Sequence, residues 1–121
     1  QGIPAAERAR VQAAAVARYK AHPQVETVFT AAQLAAIPAP RGAPDKWTLI
    51  QRVRATFHPD RSGDLYVVLK EYVSPVARPG PFYTATHGTP WDYDRRVPVL
   101  FWRKGMREQT LAEAVDTADI M

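Results

Sequence analysis

Proline punctuates this chain. Pro23, Pro38, Pro40 and Pro59 each fall where a helical pattern stops. A proline inside an element removes a backbone donor and clashes with the preceding turn, so each of them ends a segment. The fold must therefore be assembled from short pieces. At 121 residues it is one domain or part of one, with room for a single core.

Residues 4–22 read as a helix: the stretch is Ala-rich, and Val11, Ala15 and Tyr19 recur at i, i+4 and i+8 until Pro23 stops it. Val25 to Phe29 is a short strand rich in β-branched residues. Thr30 can then cap a short helix, with Gln33 completing a capping box, and Pro38 and Pro40 end it. Residues 38–45 form a Pro/Gly loop, not a domain boundary, because neither side is long enough to fold alone. Asp45 is the expected cap of a helix over 46–57, whose buried stripe is Leu49, Val53 and Phe57, with Trp47 and Ile50 beside it.

Residues 58–64 are a loop. Leu65 to Lys70 is apolar on both faces, as in a central strand. Residues 74–90 are loop-rich. Val97 to Trp102 is the expected last strand, with Pro98 near its start or at a sheet edge, and Arg103-Lys104-Gly105 is a turn. Ala114 to Met121 reads as a helix that begins at Asp116 or Thr117 and stops after about one turn, too short to bury an apolar face. With Gln at position 1, the expectation is a processed, excised or cloned piece. The order predicts an α/β (or α+β) fold: a partial three-layer sandwich of about three strands with flanking helices. Strands separated by helices predict parallel pairing of the first two.

Composition excludes several classes of function. There is no cysteine, so disulfides and thiolate metal sites are out, and His and carboxylate ligands remain. No apolar run approaches the ~18 residues of a membrane span. The net charge of +4 is mild, and no block of like charges marks a nucleic-acid partner.

The stretch Thr86-His87-Gly88-Thr89-Pro90-Trp91-Asp92-Tyr93-Asp94-Arg95-Arg96-Val97-Pro98 carries the most chemistry. It sets one histidine in a turn where Gly88 lets backbone approach closely and Pro90 adds stiffness. A rigid turn fixes ring orientation, which metal binding requires. Asp92 and Asp94 can orient the ring from behind or anchor Arg95 and Arg96. Read from the residues alone, His87 is either a metal ligand or a hydrogen-bonded turn histidine, since no nearby HxH or HxxxH supplies a partner.

Residues 87–99 resemble the pattern His-Gly-Ser/Thr-Pro-x-x-Tyr-Asp-x-x-Val-Pro followed by Ile, Leu or Val, found in the alkaline phosphatase superfamily, in particular the secreted phosphatases and type I phosphodiesterases. The likeness continues through Leu100-Phe101-Trp102 to Gly105. Upstream, Arg61-Ser62-Gly63-Asp64-Leu65 before an apolar strand is similar to these enzymes. Downstream, Val115-Asp116-Thr117-Ala118-Asp119-Ile120 resembles their Asp-Ile-Ala-Pro-Thr-Leu helix start, although this chain ends before Pro-Thr-Leu. The first sixty residues match more loosely.

The resemblance implies that residues 1–121 are the C-terminal part of an alkaline-phosphatase-like catalytic domain. It implies hydrolysis of phosphate mono- or diesters through two zinc ions and a covalent phosphoenzyme, with His87 completing one zinc site. The Thr or Ser nucleophile and the remaining ligands have no matching segment here. Thr84, Thr86 and Thr89 lie outside the family's nucleophile context, so no catalytic residue is assigned and the fragment alone is expected to be inactive. Export to the periplasm or outside the cell is implied too, although no signal peptide is visible. Unpaired strands and a truncated helix favour a dimer or element swap in the free fragment.

Other readings compete. A non-catalytic module binding anions or nucleic acid would use Arg52, Arg54, Arg61, Arg95, Arg96, Arg103 and Lys104 as a basic patch, with Trp47, Tyr93 and Trp102 as stacking faces. His58-Pro59-Asp60 looks like the J-domain tripeptide, but the strand-like run after it replaces the second helix that domain needs, which leaves a capped turn. Tyr66, Tyr72, Phe82 and Tyr83 fit core packing or a substrate cleft. His22 fits a helix C-terminus.

Overall fold

A computed structural model describes residues 2–76, 80–81 and 86–116. The expectations for Phe82, Tyr83 and Thr84, and for a helix from Thr117 onward, lie outside them. In chain order the elements are α1 (Ala5–Lys20), β1 (Val25–Thr30), α2 (Ala31–Ala35), a 3-10 turn (Pro44–Lys46), α3 (Leu49–Thr56), β2 (Leu65–Leu69) and α4 (Asp92–Arg95). The protein thus has the mixed helix and strand character that the sequence predicts.

β1 and β2 pair antiparallel, not parallel. One crossover helix would return the chain to the edge where it began, as in a βαβ unit. Here two helices and a proline loop, not a single crossover helix, lie between the strands. The register places Val28 opposite Val67 and Phe29 opposite Tyr66, with an irregularity between Val25 and Thr27. The extra residue there is Glu26, which is exposed. This bulge puts Val25 and Val28, both buried, on one face despite their odd spacing.

The opposite face carries the core. Leu34 of α2, Val53 of α3 and Val68 of β2 are almost fully buried and touch one another, with Phe29, Leu49, Ile50, Phe57, Tyr66 and Trp91 packed around them. The stripe expected on the third helix is therefore real. α1 packs against β1. Its half-buried positions are Gln12, Ala15 and Val16, whereas Val11 and Tyr19 of the expected stripe stay 54% and 48% exposed.

Caps decide where the helices start. At α2 the Thr30 N–H donates to Gln33 Oε1 at 2.8 Å and the Gln33 N–H donates to Thr30 Oγ1 at 3.2 Å, the expected reciprocal box. At α3 the cap is Thr48, not Asp45. Gln51 Oε1 accepts the Thr48 N–H at 2.8 Å and its hydroxyl at 2.9 Å. Pro44 opens a separate 3-10 turn, and extended backbone at Trp47 divides that turn from the helix. Asp45 lies inside the turn and pairs with Lys46 Nζ at 3.1 Å.

Val97 to Trp102 is not a strand. Val97, Leu100, Phe101 and Trp102 are 63%, 86%, 62% and 85% exposed. A strand needs a neighbour to bond, Pro98 brings no N–H, and no strand among the described residues runs beside it. No helix among the described residues is long and apolar enough to cross a membrane.

Candidate functional site

The histidine loop is a turn closed by its own second carboxylate. Gly88 has φ +108°, a conformation that side-chain-bearing residues rarely adopt, so glycine suits the position after His87. The Thr89 N–H donates to the carboxylate of Asp94. That hydrogen bond is the main reason the Asp94 carboxyl sits below the usual carboxylate range, with the Gly88 amide and the His87 ring favouring its ionised form as well.

The following residues are tied, one after another, to the rest of the fold. Arg52 of α3 gives its Nη1–H to the Pro90 carbonyl at 3.2 Å and its Nε–H to the Trp47 carbonyl at 2.9 Å. Its Nη2 meets Asp92 Oδ1 at 3.2 Å and Oδ2 at 3.3 Å. Trp91 Nε1–H donates to the Leu69 carbonyl, at the end of β2, at 2.9 Å. The Tyr93 hydroxyl accepts the Tyr72 N–H at 3.1 Å, and the two rings stack with centroids 4.6 Å apart. Arg95 binds Asp92 at 3.3 Å and the Pro44 carbonyl at 2.8 Å, with its guanidinium 5.8 Å from the centre of the Trp47 ring. Thr86, His87 and Gly88 remain exposed at the tip.

The two aspartates therefore divide the roles that the sequence offered them jointly. Asp92 anchors Arg95, as expected, and also Arg52, which was not expected. Asp94 holds the turn. Arg96 is exposed. Thr89 is a turn residue, through its backbone N–H. Sequence reading missed Arg52 and Trp91 as parts of the site, since Arg52 and Asp92 are 40 residues apart and no local signal links them.

Three of the seven residues of the basic patch are engaged within the fold, while Arg61, Arg96, Arg103 and Lys104 are exposed. Arg52 and Arg95 are committed to Asp92, and Arg54 gives Nε–H to the Ile37 carbonyl at 2.8 Å. Tyr93 is stacked on Tyr72, and Trp47 lies beneath Arg95. His58 keeps to its capped turn: its N–H donates to Ser62 Oγ at 2.9 Å and its Nδ1 accepts the Asp60 N–H at 3.3 Å. At the end of α1, His22 Nδ1 accepts the Gln24 N–H at 3.2 Å. Tyr66 packs on the core, as the core reading required, whereas Tyr72 is 79% exposed and does not.

As a zinc donor, His87 fits in kind and in presentation: it is exposed, and the run that follows it from Thr89 to Asp92 is hydrogen-bonded or ion-paired. It is one donor. Among the described residues no three His, Cys, Asp or Glu side chains are grouped to hold a metal ion.

No family model matches the chain. It is 52% identical over 122 aligned residues, along its whole length, to alkaline phosphatase PhoK of Sphingomonas sp, of which it spans 22%. It is 45% identical over 121 residues to alkaline phosphatase PhoD of Zymomonas mobilis subsp. mobilis (strain ATCC 31821 / ZM4 / CP4), of which it spans 21%. The chain thus spans about a fifth of the length of the curated relatives it matches.

Proposed function

From a chain homologous over its whole length to a segment of the alkaline phosphatases, we infer that it is the C-terminal part of a phosphatase that hydrolyses phosphate esters with the help of bound zinc. The observation that carries this reading is the His87 loop. Its ring is exposed while every residue from Thr89 to Asp92 is held by a hydrogen bond or ion pair. A turn histidine with only a structural role would be expected to use its own ring nitrogens to hold the turn, as His58 does.

When bound, zinc would supply positive charge against the phosphate and Lewis acidity at its oxygens. His87 would contribute one neutral imidazole ligand. The other ligands and the nucleophile would come from segments that complete the active site. The substrate class is a phosphate monoester or diester, in the periplasm or outside the cell. The 121-residue chain alone is inactive on this reading.

The test is metal content and turnover in the zinc-loaded phosphatase. His87→Ala should lower bound zinc and cut p-nitrophenyl phosphate hydrolysis by about 10-fold or far more, since even residues behind the ligands cost ~10–100-fold. Unchanged zinc content would refute the ligand assignment. Hydrolysis by the purified 121-residue chain above its own His87→Ala control would refute its inactivity.

A further inference from the structure

We propose that Arg52, together with Asp92, is the positioning pair that sets the orientation of the His87 turn from α3; the proposal rests on the reading of His87 as a zinc ligand. Arg52 is the one side chain among the described residues that binds α3's own N-terminal approach, the Trp47 carbonyl, and the histidine loop at two points, the Pro90 carbonyl and the Asp92 carboxylate. Its side chain is only 15% exposed, whereas Asp92 is 49% exposed. The guanidinium is thus held in place, and the aspartate is brought to it.

The shape of arginine suits this task. Its planar fork offers several fixed N–H directions, and here three nitrogens serve three groups. Lysine would supply the same charge as a point and lose the geometry. Arg95 adds a second contact to Asp92 and ties it to the Pro44 carbonyl. Asp92 therefore sits between two guanidiniums, one from the core helix and one from its own turn of helix.

The position of the pair gives it leverage on His87. Gly88, held at φ +108°, is the single residue between His87 and the anchored run that begins at Thr89. Fixing Pro90 and Asp92 to α3, which packs on the core through Val53, refers the turn to the buried core. Freeing them would remove the loop's direct ties to α3 and leave those of Trp91, Tyr93 and Arg95, so the segment nearest His87 would be held less closely. A ligand held less closely keeps its chemistry but loses its aim, so metal affinity falls while ligand number does not.

The test is a zinc titration by competition with a chelating dye, on the zinc-loaded phosphatase and its Arg52→Ala, Arg52→Lys, Asp92→Asn, His87→Ala and Val28→Ala variants. Arg52→Ala and Asp92→Asn should each weaken one zinc site by ~10–100-fold with stoichiometry unchanged at saturating zinc. Arg52→Lys should recover part of that loss. Val28→Ala, on the sheet face away from the loop, should lower Tm and leave zinc affinity as it was, which separates aim from stability. The imidazole nitrogen shifts of zinc-bound His87 should move in the Arg52 and Asp92 variants only. Wild-type affinity in both Arg52→Ala and Asp92→Asn, with a loss in His87→Ala, overturns the positioning role alone. Wild-type affinity in His87→Ala overturns the ligand assignment and the positioning role with it. If Arg52→Ala fails to fold, Asp92→Asn and Arg52→Lys decide the matter by the same readings.

Discussion

Trp91 Nε1 donates to the carbonyl of Leu69 at 2.9 Å, which fastens the histidine loop to the end of β2 across 22 residues of chain. The indole also packs against the Leu34, Val53 and Val68 cluster, so one side chain joins core and loop. Trp91→Phe keeps most of the apolar contact and removes the donor. It leaves a half-buried carbonyl unpaired, and should cost about 1–3 kcal/mol. Urea denaturation measures the loss, and faster amide exchange between residues 89 and 95 would locate it.

Gly88→Ala should also destabilise the protein, for a different reason. No atom lies within 4 Å of the position a methyl group would take, so there is no clash. The cost lies in the backbone at φ +108°, and should be about 1–3 kcal/mol. Thermal unfolding checks the magnitude. Chemical shifts of His87 and Thr89 should move, while those of α1 should not.

Leu34→Ala removes most of a side chain that is 1% exposed at the centre of the core. A cavity forms between α2, α3 and β2, and the expected cost is about 2–5 kcal/mol. For a small domain near the usual margin of stability, that is enough to populate the unfolded state. Ala36→Ser, at an exposed position one residue past the end of α2, serves as the neutral control in the same denaturant series.

Asp94 makes the loop sensitive to acid. Its native carboxyl is held below the usual range, chiefly by the Thr89 N–H. The native state therefore favours the ionised form more than the unfolded chain does. That stabilisation is fully present above the unfolded value near pH 4 and is lost as pH falls through the lower native value. The Thr89 amide proton, followed by NMR during acid titration, should report the loss. In Asp94→Asn the acid step at Thr89 should vanish.

The exposed run Leu100, Phe101 and Trp102 should drive self-association of the 121-residue chain at high concentration. Light scattering after gel filtration should show mass rising with concentration. Replacing Phe101 and Trp102 with Ser should hold the chain monomeric without lowering Tm, because neither ring is buried. A wild-type chain that stays monomeric across the same range would contradict this.

What the sequence by itself determined was whatever neighbours in the chain decide. Thr30 and Gln33 form their box because three residues separate them on the first turn of a helix. α1 stops at Lys20 ahead of Pro23, the β-branched run becomes β1 and the apolar run becomes β2, and Gly88 takes a conformation open chiefly to glycine. Tertiary structure decided the rest. The direction of strand pairing depended on how two helices and a proline loop fold back, which no local pattern encodes. Thr48 replaced Asp45 as a cap because extended backbone at Trp47 separated the 3-10 turn from α3. Val97 to Trp102 has the composition of a strand but no strand beside it among the described residues, and a strand exists only through its partner. Asp92 found Arg52 across 40 residues, and Asp94 turned back to Thr89. Two like carboxylates two positions apart look equivalent in the sequence; their roles separate once the backbone between them takes a helical turn and points them at different partners.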